Sequence, residues 1–333
     1  MAPGGLTAES AEANGAAAEN RSGSVRFFLV LCVLSVGLGA LCGEKAVAAG
    51  RVYAVVLGIA QDGGVPHIGC RQELCVAARH HPERRRRVAS IGLVDERSGR
   101  RYLLDATPDL PAQLEMLHGG RGWPDRARPV DGIFLTHAHA GHYSGLMYLG
   151  REALGARGVP VHATPRLARF LRENGPWGQL VSLGQIDLRE LPPGRELALA
   201  ADLTVTAVAV PHRDEYSDTV GFRVRGPSRS LLFIPDIDKW ERWDRRLEDE
   251  VAAVDTALLD GTFFDAGEVP GRSLAEIPHP LVEETAVRLQ GSRRRVLLIH
   301  LNHTNRLLWD GAARRRLLAR GLDVAREGQE LPL

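Results

Sequence analysis

The sequence is poor in cysteine, in aromatic residues and in excess charge of either sign. Four cysteines among 333 residues are too few for a disulfide-stabilised framework. Aromatic residues make up 5% of the chain, and 42 Lys plus Arg against 41 Asp plus Glu give a formal net charge of +1. This balance disfavours a dedicated nucleic-acid-binding protein, and we expect no nucleic-acid partner. Lys45 and Lys239 are the only lysines, and we interpret the arginine clusters at 84–87, 293–295 and 314–316 as solvated faces.

The sequence also lacks an uninterrupted apolar run of the roughly 20 residues that a membrane-spanning helix needs. Its main apolar segment, 27–42, follows Arg26 and precedes the small residues AVAA at 46–49. This order is typical of a secretory signal peptide. We therefore expect a disordered segment over 1–26, a signal peptide over 27–49 cleaved near Ala48, and export to the periplasm. An uncleaved membrane anchor is the first alternative, and a lipid-modified Cys42 is the second.

No short-period repeat and no Pro-rich or Gly/Ser-rich linker divides the rest of the chain, so we expect one domain over residues 50–333. Short apolar runs predict strands at 52–57, 88–94, 102–104, 132–136, 203–210, 220–224, 231–234, 257–259 and 296–299. Helical patterns lie at 143–151, 165–173, 240–248, 280–290 and 309–320. Strands mixed with helices in both halves indicate two packed sheets covered by helices.

Three histidines, His137, His139 and His142, lie within six positions directly after the predicted strand 132–136. Residues two apart in an extended segment point to the same side, so His137 and His139 can direct their imidazoles at one point. A turn at 140–141 then lets His142 approach from another direction. Converging imidazole nitrogens suit zinc, so the pattern favours a metal site over a histidine-rich surface loop.

Further polar residues follow three other predicted strands. His212 follows strand 203–210, Asp236 follows strand 231–234, and His300 follows strand 296–299. Each of them alone is as often structural as functional, but together with the histidine cluster they favour one shared metal site. A divalent ion with an open position lowers the pKa of a bound water toward about 7 and polarises a carbonyl or phosphoryl oxygen. The site therefore predicts hydrolysis.

The motifs THAHAGHYSGL at 136–146, VPH at 210–212, IPD at 234–236 and IHLNH at 299–303 resemble, in this order, the metal motifs of the metallo-β-lactamase superfamily. Within it, GGVPHIGC at 63–70, LDGTFF at 259–264, IPHP at 277–280 and IHLNHTN at 299–305 are similar to the coenzyme PQQ synthesis protein B group and related cyclic phosphodiesterases. The resemblance implies an α+β fold, a four-layer αββα sandwich with metals at the rim between the sheets. Asp105 matches the superfamily's first, orienting aspartate.

The resemblance also implies two groups of metal ligands joined by a bridging aspartate. The first group is His137, His139 and His212; the second is His142 and His300; the bridge is Asp236. The implied cofactor is Zn²⁺, as one or two ions, with Mn or Fe as alternatives.

One position departs from the superfamily's pattern. Its hydrolases read HxHxDH, where the aspartate binds the second metal, and Gly141 stands at that position here. Two divalent cations beside a single carboxylate are poorly neutralised. We therefore expect either one tightly held metal or a substitute oxygen ligand, for which Asp62, Asp214 and Asp218 are candidates.

Catalytic roles follow for a few residues. Asp236 is expected to orient the attacking water, and His303 or His279 to donate a proton to the leaving group. Arg213 is a candidate to pair with an anionic small-molecule substrate, with a surface role as the alternative. The predicted function is an exported metal-dependent hydrolase that acts on a phosphodiester or other ester bond. A protein with an iron-dependent oxidative role and a non-catalytic metal- or ligand-binding protein stay open as alternatives.

Cys70 and Cys75 are the two cysteines outside the apolar segment. Their spacing allows a local disulfide in an oxidising compartment or half of a structural zinc site. The phosphodiesterase relatives carry a CxCxxC zinc cluster in this loop, but Gln72 stands at its middle position here. A disulfide is therefore at least as good an interpretation as zinc.

Overall fold

The computed structural model describes residues 50–271 and 273–333, so the predictions for 1–26 and 27–49 lie outside the described residues. Over the described ranges, no helix combines the length and the apolar character that crossing a membrane requires. These ranges form two seven-stranded sheets with helices packed around them.

The strands, in chain order, are β1 (Val52–Gly58), β2 (Ser90–Asp95), β3 (Arg100–Leu104), β4 (Gly132–Phe134), β5 (Val159–Ala163), β6 (Ile186–Glu190), β7 (Glu196–Ala200), β8 (Leu203–Val210), β9 (Thr219–Arg225), β10 (Ser230–Ile234), β11 (Thr256–Asp260), β12 (Arg295–Ile299), β13 (Leu322–Val324) and β14 (Glu330–Pro332). The first sheet has the order β14-β1-β2-β3-β4-β5-β6, and the second β13-β12-β11-β10-β9-β8-β7. Each sheet has an antiparallel half, β14 with β1 to β3 or β7 to β10, and a parallel half, β3 to β6 or β10 to β13.

The helices are α1 (Glu73–His80), α2 (Leu110–Leu117), α3 (Ala140–Tyr143), α4 (Pro165–Glu173), α5 (Trp177–Ser182), α6 (Leu247–Ala252), α7 (Val282–Arg288) and α8 (Gly311–Ala319). Local chemistry explains where two of them begin. The Thr164 hydroxyl accepts the backbone N–H of Leu167 at the start of α4, and Pro165 follows it. The Asp310 carboxylate accepts two backbone N–H groups at the start of α8.

Strands of the first sheet bury both of their faces. In β1, Ala54 and Val56 pack toward the second sheet, whereas Val55 and Leu57 belong to the cluster formed with α2, α4 and α5. The second sheet packs on α6 to α8 through buried residues such as Leu247. The order of layers is helix, sheet, sheet, helix, so the predicted α+β four-layer sandwich is confirmed.

The nine predicted strands are all present with small differences in their bounds, but the sequence patterns miss β5, β6, β7, β13 and β14. Four of these, β6, β7, β13 and β14, are edge strands. β6 and β7 each bury only one of their five residues and so lack the apolar runs of buried strands. The predicted helix 240–248 is wrong: a 3₁₀ turn at Trp240–Arg242 precedes α6, and Trp240 and Trp243 are both buried. The predicted helix 143–151 is mostly a 3₁₀ turn, Ser144–Leu149.

In the parallel half of each sheet, the carboxyl ends of neighbouring strands lie side by side at the same end of the sheet. Asp105 directly follows β3, Asp260 ends β11, and His300 directly follows β12. Asp105 and His300 have φ angles of 68° and 64°, a left-handed conformation that is uncommon for residues other than glycine. This backbone conformation thus occurs at the orienting aspartate, Asp105, and at one candidate ligand, His300.

Candidate metal centre

Four side chains from three strand ends form the first group of candidate ligands: His137, His139, His212 and Asp236. Nδ1 of His139 lies 2.8 Å from Nε2 of His137 and 3.3 Å from Nε2 of His212. The Asp236 carboxylate lies 3.4 Å from His137 and 3.2 Å from His212. Ligand atoms on a tetrahedral zinc ion are about 3.3 Å apart, so this spacing suits one cation.

A second group lies on the other side of the Asp236 carboxylate. Oδ1 of Asp62 is 3.5 Å from Nε2 of His142 and 3.9 Å from Nε2 of His300. Oδ2 of Asp236 is 3.7 Å from the same nitrogen of His142 and 3.9 Å from that of His300. Asp236 thus lies between the two groups, where the family resemblance implies a bridging ligand.

Several buried ligand atoms of these groups have no hydrogen-bond partner in the part of the chain that the structure describes, and this indicates whether a cation fits between them. Nε2 of His142, Nε2 of His300, Oδ1 of Asp62 and Oδ1 of Asp236 are buried and have no hydrogen-bond partner among the described residues. A buried polar atom without a partner is costly, and here several such atoms converge. Imidazole and carboxylate donors suit zinc, manganese and iron, so these residues fit a divalent metal.

Of the three carboxylates that the sequence offers as substitutes, Asp62 is the one that lies in a group of potential ligands. A Cβ atom on Gly141 would lie 2.0 Å from Oδ1 and 2.7 Å from Cα of Asp62. Asp62 therefore occupies the space that a side chain at position 141 would need. Of the other two candidates, Asp214 is largely exposed and pairs with Arg166, and Asp218 accepts the Thr164 hydroxyl.

Asp105 fixes the histidine cluster through hydrogen bonds. Its carboxylate accepts Nδ1–H of His142 at 2.8 Å, and accepts the backbone N–H and the hydroxyl of Thr136 at 2.8 and 3.1 Å. The Thr136 hydroxyl lies 2.9 Å from Nδ1 of His137. With protons on these Nδ1 atoms, Nε2 of His137 and Nε2 of His142 are the ring nitrogens left to bind a cation.

Asp260 plays the same part in the second sheet, and the sequence analysis assigns it no role. Its carboxylate accepts the Thr262 hydroxyl at 2.7 Å, and that hydroxyl lies 2.9 Å from Nδ1 of His300. The other carboxylate oxygen lies 2.9 Å from Nδ1 of His279. The signal was present: Asp260 follows the predicted strand 257–259 within the motif LDGTFF, as Asp105 follows strand 102–104.

His279 joins the centre, whereas His303 does not. Nδ1 of His279 lies 3.2 Å from Oδ1 of Asp236, and its ring is 5.5 Å from that of His212. Burial alone would lower the pKa of His279, but the carboxylates of Asp260 and Asp236 outweigh it and raise the pKa to about 9. His303 instead stacks on His67 and shares no ligand group with the centre. Of the two expected proton donors, the structure therefore brings only His279 to the metal ligands.

The carboxylates of the centre are held in their charged form. Burial would raise the pKa of Asp236, but His212, His279 and His300 outweigh it and lower that pKa well below its usual value. The pKa of Asp62 is lowered in the same way, by His142 and His300. Burial lowers the pKa of His137, which keeps its imidazole neutral. Ionised carboxylates and a neutral imidazole are the forms that bind metal.

Arg213 lies at the rim of the centre. Its Nη2 is 3.3 Å from Nε2 of His139, the ring nitrogen that points away from the first group of ligands. Glu215 lies 3.4 Å from the same nitrogen, and 3.7 Å from the Arg213 guanidinium. The side chain of Arg213 is half exposed, so it is accessible to an anion that approaches the centre.

Cys70 and Cys75 are free thiols in the structure, which therefore lacks the disulfide that was one of the two alternatives for this pair. Cys75 lies 3.7 Å from Nδ1 of His303, and the two cysteines and His303 form a third group of potential metal ligands. Sequence reasoning did not connect His303 with this pair, because the two segments are more than 200 residues apart. The geometry matches the zinc alternative better than the disulfide.

Asp62 provides the first test of this centre. We expect Asp62→Ala to lower the zinc content of the metal-saturated protein from two ions per chain to one, because the second group keeps only His142, His300 and the shared Asp236. Asp214→Ala is the matched control, because Asp214 is largely exposed and pairs with Arg166. Elemental analysis measures both variants, and two ions per chain in Asp62→Ala would remove Asp62 from the ligand set.

Substitutions at both positions 62 and 141 test more strictly whether Asp62 supplies the carboxylate. Gly141→Asp alone should lower both zinc content and thermal stability, because the new Cβ meets Asp62. Adding Asp62→Gly should restore two ions per chain, with the carboxylate now supplied from position 141. If the losses of zinc content and stability in the double variant equal the sum of the losses in the two single variants, the two positions do not share one site.

Comparisons with known proteins agree with this geometry. A family model described as a beta-lactamase superfamily domain matches residues 100–301. Coenzyme PQQ synthesis protein B of Cupriavidus necator is 30% identical over 315 residues, covering 84% of this chain and 98% of that protein. The protein of the same name from Methylobacterium nodulans is 28% identical over 309 residues, covering 85% and 100%.

Solved structures show the same similarity. Zinc-bound PqqB from Methylobacterium extorquens superposes with a TM-score of 0.73 at 25% identity, covering 84% of this chain and 100% of that chain. A diphosphatase of the PhnP family has a TM-score of 0.61 at 22% identity, covering 85% and 97%, which shows a shared fold. The resemblance inferred from the motifs is thereby confirmed: the chain belongs to the beta-lactamase superfamily, among the homologues of coenzyme PQQ synthesis protein B.

Proposed function

We propose that the protein is a metal-dependent hydrolase that cleaves a phosphodiester or other ester bond of a small anionic substrate. The observation that carries this proposal is the pair of adjoining ligand groups that share Asp236, with His279 beside them. The structural similarity to a diphosphatase of the PhnP family supports the choice of a phosphorus-containing ester.

These residues would hold a divalent cation, which would supply a Lewis acid for a phosphoryl or carbonyl oxygen and lower the pKa of a bound water toward about 7. His137, His139 and His212 would hold one cation, and Asp62, His142 and His300 the other, with Asp236 between them. Asp236 also accepts a hydrogen bond from the attacking water and so orients it. The half-exposed Arg213 guanidinium binds the anionic group of the substrate at the rim.

His279 donates the proton that the leaving group needs. The Asp260 carboxylate holds Nδ1–H of His279 at 2.9 Å, which fixes the ring and leaves Nε2 as the atom that transfers a proton. Asp260 is therefore a positioning residue, because it acts through His279. The arrangement separates orienting the water, by Asp236, from protonating the leaving group, by His279.

An iron-dependent oxidative role is the second candidate, and the similarity to coenzyme PQQ synthesis protein B over 84% of the chain favours it. Imidazole and carboxylate ligands with open positions also suit non-haem iron. Metal identity separates the two functions, because a hydrolase needs no redox change at its metal.

We expect the purified protein to contain zinc or manganese and to hydrolyse bis(4-nitrophenyl) phosphate. Asp236→Asn should lower kcat/KM by about a hundredfold or more, because both cations lose a charged ligand. Asp214→Asn makes the same change at an exposed position and should stay within twofold. Iron with substrate-dependent oxygen uptake would favour the oxidative role, and a metal-loaded protein with neither activity would favour a binding protein.

The leaving group tests His279 separately. His279→Asn should slow hydrolysis of a cyclic nucleotide, whose leaving group is an alkoxide, by about 10²–10⁴-fold. The same variant should change the hydrolysis of bis(4-nitrophenyl) phosphate far less, because nitrophenolate leaves without a proton. His80→Asn is the exposed control. Equal losses with both substrates would mean that His279 supports the centre without donating the proton.

We also propose that the protein is exported, on the strength of the sequence over 26–49 alone. Cleavage near Ala48 would leave a chain that begins close to β1. N-terminal sequencing of the protein from the periplasmic fraction measures this directly. A start at Met1 in protein recovered from the cytoplasm would contradict export.

A further inference from the structure

A cavity of about 230 Å³ outside the metal centre is lined largely by arginine. Its walls are formed by Ile59, Arg86, Arg314, Ala325, Arg326 and Glu327. The three arginines come from the loop before β2, from α8 and from the segment after β13, so the fold alone brings them together. The sequence analysis had interpreted the runs 84–87 and 314–316 as solvated faces, but one member of each run faces this cavity.

Within the described part of the chain, the three arginines that line this cavity make no ion pair with a carboxylate. No carboxylate there lies within ion-pair distance of Arg86, Arg314 or Arg326. Glu327 lines the cavity but binds the Arg87 guanidinium at 2.7 Å and its backbone N–H. The Glu327 carboxylate is therefore already paired with a fourth arginine, Arg87.

Arg314 is half-buried, and its position is electrostatically unfavourable. Its Nε is buried and has no hydrogen-bond partner among the described residues. Burial lowers the pKa of Arg314. The attraction of Asp323 raises this pKa, and repulsion from Arg86 and Arg326 lowers it again. Nη1 of Arg86 donates to the carbonyl oxygens of Glu83 and Arg85, so this guanidinium is fixed in place.

A compact anion would offset the charge of this cavity. It would pair with the guanidinium groups that line the cavity and reduce the repulsion among them. We propose that this cavity, walled by Arg86, Arg314 and Arg326, is a second binding site for a tetrahedral oxyanion, either inorganic phosphate or the phosphate group of a small molecule. This proposal goes beyond the hydrolase function and does not depend on it.

The neighbouring cavity suggests where such a phosphate group could come from. It has a volume of about 790 Å³, shares Arg86 and Glu327 with the arginine-lined cavity, and extends to Asp62 at the metal centre. A substrate with a second phosphate could therefore reach both sites, and a separate phosphate could equally occupy the arginine-lined cavity alone.

Calorimetric titration of inorganic phosphate into the metal-loaded protein tests the site. We expect a binding event that persists in Asp236→Asn, where the metal centre is impaired. The double variant Arg314→Gln/Arg326→Gln should weaken this event more than tenfold, because two of three cationic groups are lost. Arg315→Gln/Arg316→Gln removes the same charge from exposed positions on α8 and should stay within twofold. Equal phosphate affinity in the two double variants, or no event in Asp236→Asn, would overturn the proposal.

Thermal unfolding controls for misfolding. Without phosphate, Arg314→Gln/Arg326→Gln should unfold at nearly the same temperature as the unchanged protein, because it removes the attraction to Asp323 together with the repulsion among the arginines. With phosphate, the unfolding temperature should rise in the unchanged protein and in the Arg315/Arg316 control, but not in this variant. A phosphate-dependent rise of equal size in all three proteins would also contradict the proposal.

Steady-state kinetics distinguish the two sources of the anion. If the site takes a second phosphate of the substrate, Arg314→Gln/Arg326→Gln raises KM several-fold for a phosphodiester that carries a phosphomonoester, and leaves KM for one without it unchanged. If both KM values stay unchanged while phosphate binding is lost, the ligand is a separate phosphate. Either result requires the binding site itself, which the titration measures independently.

Discussion

The site depends on one buried carboxylate, that of Asp236, placed among five imidazoles. Its oxygens lie between 3.2 and 3.9 Å from ring nitrogens of His137, His142, His212, His279 and His300. Burying this negative charge is unfavourable unless positive charge compensates it, and neutral imidazoles compensate it only weakly. The buried negative charge therefore needs bound cations or protons on the imidazoles to balance it. This is why the positions of the histidines around Asp236 suit metal binding.

The fold holds these groups through two equivalent supports. Asp105 after β3 and Asp260 at the end of β11 each bind a threonine and a histidine of the centre. One support comes from each sheet, so the distance between the two sheets fixes the distance between the supports. Left-handed residues typically cost about 1–3 kcal/mol, and Asp105 and His300 adopt this conformation where the hydrogen bonds to Thr136 and Thr262 hold them.

The sequence predicts those features of the fold and the site that are encoded in a short stretch of the chain. The apolar strands and the residues that follow them are local patterns, so His137, His139, His142, His212, Asp236 and His300 could all be identified, and the structure brings them together. Strands such as β6 and β7 lie at a sheet edge and lack an apolar run, so only pairing with a neighbour reveals them. His303 shows the same limit, because its proximity to Cys75 depends on the fold and not on a motif.

The glycine at position 141 illustrates why a missing ligand in a motif does not mean a missing ligand in space. A metal responds to the position and charge of an oxygen atom, and not to the strand that carries it. The Asp62 carboxylate reaches the position next to Gly141 from the loop after β1, and a Cβ atom at position 141 would collide with it. The two residues are therefore compatible only as a pair: aspartate at 62 requires a residue without a side chain at 141. This steric condition explains the departure from HxHxDH as a relocation of the carboxylate, and it lets one fold keep the charge of its metal centre while changing the loop that supplies it.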